Sequence, residues 1–268
     1  MKRSKQIFEL YIHSSIHVAL AVTSFAGITF IHFGREISTE TLLFIGLCTI
    51  PGYNLTRFDS LNDLLQSRQN LFTAILTVCC LAGGLWMTFH LPAVVVVLAM
   101  AAGIVTLLYN GLFSHERTTL REVTGIKIFL IALVWTAVTV LMPAAMIEKA
   151  EGLQIFAESV QRFFFVIVLT IPFDIRDVRM DTYQLATIPQ VIGIRNARYL
   201  GIMLLFLVLV PETFLQFHND EYSLIMLSIC ILTGISILNT GVRQHRYFAS
   251  FWIEGIPILW FAILLLSS

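Results

Sequence analysis

Charge is scarce in this chain. Asp, Glu, Lys and Arg together supply 13% of its 268 residues, about half of the roughly 25% found in ordinary soluble domains. With 57% hydrophobic residues and a mean hydropathy of +0.83, that scarcity excludes a water-soluble globular protein. Cysteine is sparse as well. Cys48, Cys79, Cys80 and Cys230 all fall inside apolar runs without metal-ligand spacing, and the neighbours Cys79 and Cys80 cannot readily bridge each other. They read as small core or lipid-facing residues. The chain also lacks a Gly-rich phosphate loop, a low-complexity tract and any polar stretch large enough for a soluble domain. Its N-terminal apolar stretch outruns a signal-peptide core and has no small-x-small cleavage site, so it is expected to stay as the first helix.

What remains is hydrophobic sequence in lengths near the ~20 residues that span a bilayer. Nine such runs occur: Phe8 to Phe33, Thr41 to Thr56, Leu71 to Phe89, Pro92 to Asn110, Glu122 to Ile147, Phe156 to Phe173, Ala197 to Phe217, Tyr222 to Thr240 and Phe248 to Leu266. They predict an all-α integral membrane protein, one bundle of nine transmembrane helices formed by residues 1–268 as a single domain. With the N-terminus cytoplasmic and the C-terminus outside, 14 of the 17 Lys and Arg fall on the inner side, and only Arg35, Lys149 and Arg162 fall outside. That asymmetry supports both the orientation and the helix count, because cytoplasmic loops carry the excess of positive charge. The inner face carries a net charge of about +6, which attracts anionic substrates.

Three carboxylates close the sixth run. In Asp174-Ile-Arg-Asp177-Val-Arg-Met-Asp181, helical offsets of 0, 3 and 7 gather the acids within a sector of about 60°, with Arg176 and Arg179 projecting elsewhere. Bare acids at a membrane boundary are costly without a cation against them, so the stripe points to a bound metal ion. A second acidic pair, Asp59 and Asp63, follows the second run at i, i+4, in the segment Asn54-Leu-Thr-Arg57-Phe-Asp59-Ser-Leu-Asn62-Asp63. Two such clusters on one side suggest a pseudo-repeated bundle that faces both into one cavity. There they could hold Mg²⁺ bridging to a diphosphate, because Mg²⁺ takes one or two carboxylates and completes its octahedron with substrate phosphates. The same two acids also read as solvated loop charges paired with Arg57 or Arg68.

The DxxDxxxD pattern of Asp174, Asp177 and Asp181, with an Asn-containing acidic segment after the second of nine runs, resembles the UbiA superfamily of intramembrane prenyltransferases. The resemblance implies nine helices and two cytosol-facing Asp-rich motifs, roughly NDxxDxxxD and DxxDxxxD. It implies that Mg²⁺ and a prenyl diphosphate bind there, and that the prenyl group passes to an acceptor such as an aromatic ring. Asp174, Asp177 and Asp181 match the second motif residue for residue. The first motif departs from the family: anchored on Asn54, its three Asp positions are occupied by Leu55, Phe58 and Asn62, and Asp59 and Asp63 each stand one residue further on.

On this resemblance the metal ligands are Asp174, Asp177, Asp181 and Asp63, and Asn54 and Asp59 assist catalysis. Arg57, Tyr109, Arg117, Arg121, Lys127 and Arg176 are the diphosphate-binding candidates, although the inner-loop cations among them also read as topology signals. His13 and His17, at i, i+4, either line an acceptor pocket or are hydrogen-bonded interior residues. Glu254, inside the ninth run, should face the bundle. The implied location is a bacterial inner membrane. Other readings are a terpene cyclase of the same fold, a non-catalytic isoprenoid- or lipid-binding protein, and a cation-coupled transporter. A transporter's charges belong near the midplane, whereas these lie at the edge.

Overall fold

The computed structural model describes residues 2–57, 68–109, 125–179, 187–215 and 220–267. Among them there are helices and no strand. In chain order they are α1 (Lys2–His13), α2 (Ile16–His32), α3 (Thr39–Arg57), α4 (Arg68–Met87), α5 (Ala93–Tyr109) and α6 (Lys127–Thr136). A π-helical turn, Ala137–Leu141, joins α6 to the short α7 (Met142–Ala145). There follow α8 (Gly152–Asp177), α9 (Ile188–Ile192), α10 (Ile194–Leu215), α11 (Asp220–Leu238), a second π-helical turn at Phe248–Ile253, and α12 (Ile256–Ser267).

Helix α2 packs on both α3 and α12, and α8 packs on α6 and α10, so helices from the two ends of the chain meet in one bundle. The centre is aromatic. Phe25 of α2 has its ring 6.0 Å from Trp135 of α6, 5.8 Å from Phe165 of α8 and 6.2 Å from Trp260 of α12. The contacts with all three are edge-on, the arrangement that ring quadrupoles favour. At Gly27 the α2–α12 crossing is so close that a Cβ would stand 2.4 Å from the Phe261 ring.

Six helical segments are long and apolar enough to cross a membrane: Asn70–Met87, Lys127–Ala145, Gly152–Asp177, Ile194–Thr213, Asp220–Leu238 and Phe248–Ser267. The expected first helix is instead two, α1 and α2, bent by 58°; together they make a seventh candidate span. The break is local. Ser15 adopts φ 63°, left-handed backbone that cannot continue a right-handed helix. Helices α3 and α5 occupy the second and fourth expected runs but fall short as spans. Pro51, Gly52 and Asn54 dilute the hydrophobicity of α3, and α5 has 17 residues.

Several threonines buried in this bundle find partners inside it, as a bilayer favours. Thr77, Thr136, Thr139 and Thr233 each donate to the carbonyl four residues back at 2.7 Å. Pro143 explains another bond. Lacking an N–H, it cannot pair with the carbonyl of Thr139 one turn earlier. That carbonyl lies in the π-helical turn and accepts the Thr29 hydroxyl of α2 at 2.7 Å.

Candidate active site

The acidic motif lies at the C-terminal end of α8. Asp174 is buried at 3% exposure, with the Lys127 ammonium 3.3 Å from its Oδ1. Asp177, one turn on, is half-buried and accepts two hydrogen bonds from its neighbour, Arg176 Nε to Oδ1 at 2.7 Å and Arg176 NH2 to Oδ2 at 2.8 Å. The Arg176 guanidinium also lies over the Phe173 ring at 5.3 Å. One sequence expectation changes here. Arg176 does not project away from the acids; its side chain folds back and occupies both oxygens of Asp177. Helix α8 ends at Asp177. Asp181 lies outside the described residues.

Asn54 is 1% exposed, and its amide is engaged by protein on every side. Its Oδ1 accepts the Ser15 hydroxyl at 2.7 Å, and its Nδ2 donates to Thr77 Oγ1 at 2.8 Å and to the Ser14 carbonyl at 3.4 Å. One side chain thus ties α3 to the break between α1 and α2 and to α4. The left-handed Ser15 is held there because its hydroxyl is clamped.

Beside this clamp runs an apolar cavity of about 660 Å³ lined mainly by α3, α4, α5 and α6, within the ~300–1,000 Å³ typical of ligand sites. At one end it is lined by Leu55 and Thr56 of α3, Thr106 and Leu107 of α5, and Leu130 of α6. Leu130 is three residues, about one turn, beyond Lys127. The Lys127–Asp174 pair therefore sits at that end of the cavity. Across it, Trp135 Nε1 donates to the Tyr53 hydroxyl at 2.9 Å. Thr88, Phe44 and Met142 line the other end.

Asp174, Asp177, Lys127 and Arg176 are thus brought together, and Asn54 stands apart as a helix clamp. Arg57 and Tyr109 end α3 and α5 on the cavity side, but their side chains, like Asp59, Asp63, Arg117 and Arg121 as a whole, lie outside what the structure describes. Among the described residues no three His, Cys, Asp or Glu gather as a metal cage. Neither histidine lines the cavity. His17 lies between the Tyr11 hydroxyl at 2.7 Å and the Phe251 carbonyl at 3.0 Å, and His13 meets Asn70 at 3.1 Å. Cys48 lines the cavity and Cys80 and Cys230 are buried, all four thiols being free.

One polar centre escaped the sequence reading. Arg162, counted with the outer-side cations, is 2% exposed inside the bundle, its NH1 on the Phe25 carbonyl at 2.8 Å and its guanidinium 4.2 Å from the Phe25 ring centre. Buried Glu158 stands beside it and faces His32 Nδ1 at 2.7 Å. The signal was available: Glu158 and Arg162 are an i, i+4 pair inside an apolar run, a spacing that puts both on one helix face.

With that geometry in view, a solved structure described as digeranylgeranylglyceryl phosphate synthase in membranes superposes over 100% of both chains, with a TM-score of 0.61 at 14% identity. The chain has the fold of that UbiA-superfamily prenyltransferase. No protein-family model matches the sequence, nor does any curated protein. The chain thus shares an all-helical bundle with that structure at an identity at which sequence comparison is silent. It is the arrangement of helices, more than the residues on them, that the two proteins share.

Proposed function

We propose that this protein is an intramembrane prenyltransferase that takes a prenyl diphosphate with its chain in the α3–α6 cavity and moves the prenyl group to an apolar or aromatic acceptor. The observation that carries this reading is the cavity: a long apolar space within a UbiA-type bundle, one end of which is lined by Leu130, a single helical turn from the Lys127–Asp174 pair. A diphosphate needs charge at one end and its hydrocarbon tail needs none.

Two carboxylates one turn apart are a donor set that suits Mg²⁺, which takes one or two protein carboxylates and leaves its other positions to phosphates and water. When bound, the ion would draw charge from the phosphate oxygens of the leaving group. In the reading proposed here Asp174 and Asp177 hold it, joined by Asp181 and Asp63, and Asp59 stands close by. Arg176 grips Asp177 through a planar fork that fits a phosphate equally well. Turning from carboxylate to diphosphate, it would free Asp177 as a ligand. Lys127, with Arg57, Tyr109, Arg117 and Arg121, would bind the remaining phosphate oxygens.

In the reaction the C–O bond to the diphosphate breaks and its electron pair leaves with oxygen. The cations at the cavity end lower that barrier because they face charge as it develops. The allylic cation left behind is shielded from water by the apolar walls, where the rings of Tyr53 and Trp135 offer π faces to positive charge. The acceptor forms the new C–C or C–O bond and loses a proton. Asn54 serves as a positioning residue, fixing the α3 wall that carries Tyr53. The same reading puts the diphosphate site on the cytoplasmic face of a bacterial inner membrane.

The test is reconstitution in liposomes with Mg²⁺ and prenyl diphosphates of increasing length, measuring diphosphate release. Wild type should release it, and Asp177→Asn should bind the substrate more weakly by about tenfold or more, since a neutral amide replaces an anionic ligand on a hard cation. Recovery of intact prenyl diphosphate from wild type at every length, with no release, would replace this reading with that of a non-catalytic isoprenoid binder.

A further inference from the structure

The buried charges of α8 lie far from the acidic motif. Glu158 precedes Asp174 by 16 residues, about 24 Å along the helix, so Glu158 and Arg162 cannot touch a diphosphate at the other end. They nonetheless lie in the core of a membrane bundle, where ionised groups are costly unless fully engaged. His32 Nδ1 engages Glu158 Oε1, and Arg162 donates to the Phe25 carbonyl through NH1 and to Thr29 Oγ1 through NH2 at 3.4 Å. Between the two charges Arg162 NH2 and Glu158 Oε2 are 4.0 Å apart, beyond hydrogen-bond reach, and that is the separation at which an intervening water should be considered.

Two independent observations point to the same spot. A cavity of about 10 Å³ is bounded by Glu158, Gln161, Arg162, Phe165, Val208 and Trp260. That is close to the smallest space that holds one water, and too small for anything larger. Trp260 is 4% exposed and its indole Nε1, a donor only, is buried without an acceptor. Gln161 adds a further polar wall; its Nε2 donates to the Met226 sulfur, at 3.8 Å.

We propose that this cavity is a binding site for a single water molecule, which accepts the Trp260 N–H and bridges the Glu158 carboxylate to the Arg162 guanidinium. The water takes a donor from α12 and two charges from α8, so it completes a polar joint between helices whose other contacts are apolar. It satisfies the indole and closes the gap in the ion pair. Size fixes the ligand, and the lining fixes its orientation: hydrogens toward the carboxylate, oxygen toward the two N–H groups.

The experiment uses the full chain in nanodiscs. Benzothienylalanine at position 260 keeps the shape of tryptophan and replaces the indole N–H with sulfur. With a bound water, this variant removes a hydrogen bond and melts below wild type. Without one, it removes an unsatisfied buried donor and melts at or above wild type. In parallel, indole-¹⁵N-labelled wild type should give an exchange or Overhauser cross-peak between water and the Trp260 Nε1–H, assigned by its loss in Trp260→Phe. A melting point at or above wild type, or a Trp260 indole signal with no water cross-peak, overturns the proposal.

Discussion

Asn54 carries opposite expectations in sequence and in structure. By the sequence motif it assists metal chemistry; by its contacts it is a clamp of three hydrogen bonds to Ser15, Ser14 and Thr77. The two roles separate on substitution. Asn54→Ala should lower stability by about 2 kcal/mol, because buried partners lose their bonds, and be seen as an earlier thermal unfolding transition without substrate. Asn54→Asp should destabilise too, since a carboxylate faces the Ser14 carbonyl and a Thr77 hydroxyl already committed as donor to Thr73. If Asn54→Asp instead kept wild-type stability and bound Mg²⁺ more tightly, Asn54 would belong to the metal site. At this scale the position of Asp174 and Asp177 at a helix end was legible, because residue type and spacing alone bring acids there. Arg176 was misjudged: its long side chain reaches back to its neighbour, and periodicity describes Cβ directions rather than the ends of flexible chains. Arg162 was assigned to the outer surface because counting charges by loop ignores those that pair inside a bundle.

At the scale of elements, helix positions were legible from hydropathy and their interruptions were not. Ser14 and Ser15 sit within the run Phe8 to Phe33, and the bend there depends on a hydrogen bond to a residue 39 positions away, which no local window contains. The cavity is likewise a property of packing. Gly52 and Gly103 line it, and at each a Cβ would meet no atom within 4 Å. A larger residue there would therefore fill the space that the prenyl tail is proposed to use without displacing protein. Gly103→Leu should raise helix propensity, by up to about 1 kcal/mol, and leave the fold intact. Its effect should depend on substrate length: diphosphate release from the shortest prenyl substrate persists, and release from longer ones falls by about tenfold or more for the ~1.4 kcal/mol or greater lost in contacts. Equal rates at all lengths would mean that the tail lies elsewhere.

For the whole molecule, the sequence supplies an orientation and the structure supplies the geometry by which to test it. Helix α8 has 26 residues, about 39 Å at 1.5 Å per residue, longer than the ~30 Å hydrocarbon core. Gly152 and Arg179 must then lie on opposite sides of the bilayer. Glu36 shares the side of Gly152, because its neighbour Arg35 reaches the carbonyl of Glu148 at 3.4 Å. With Arg162 inside the bundle, the reading of the sequence leaves 14 cations on the Arg179 side against Arg35 and Lys149 on the other, which predicts that the Arg179 side is cytoplasmic, where positive charge is retained. In a background without native cysteine, labels at Glu36→Cys and Gly152→Cys should react with an impermeant thiol reagent from outside, and Arg179→Cys only after the membrane is opened. Gly152 is well suited to this, since a Cβ there meets nothing. The reverse pattern would invert the orientation yet keep the fold. Accessibility of Gly152→Cys and Arg179→Cys from one side would be more serious: α8 would not span, and the diphosphate end of the cavity would lose the helix that carries Asp174 and Asp177.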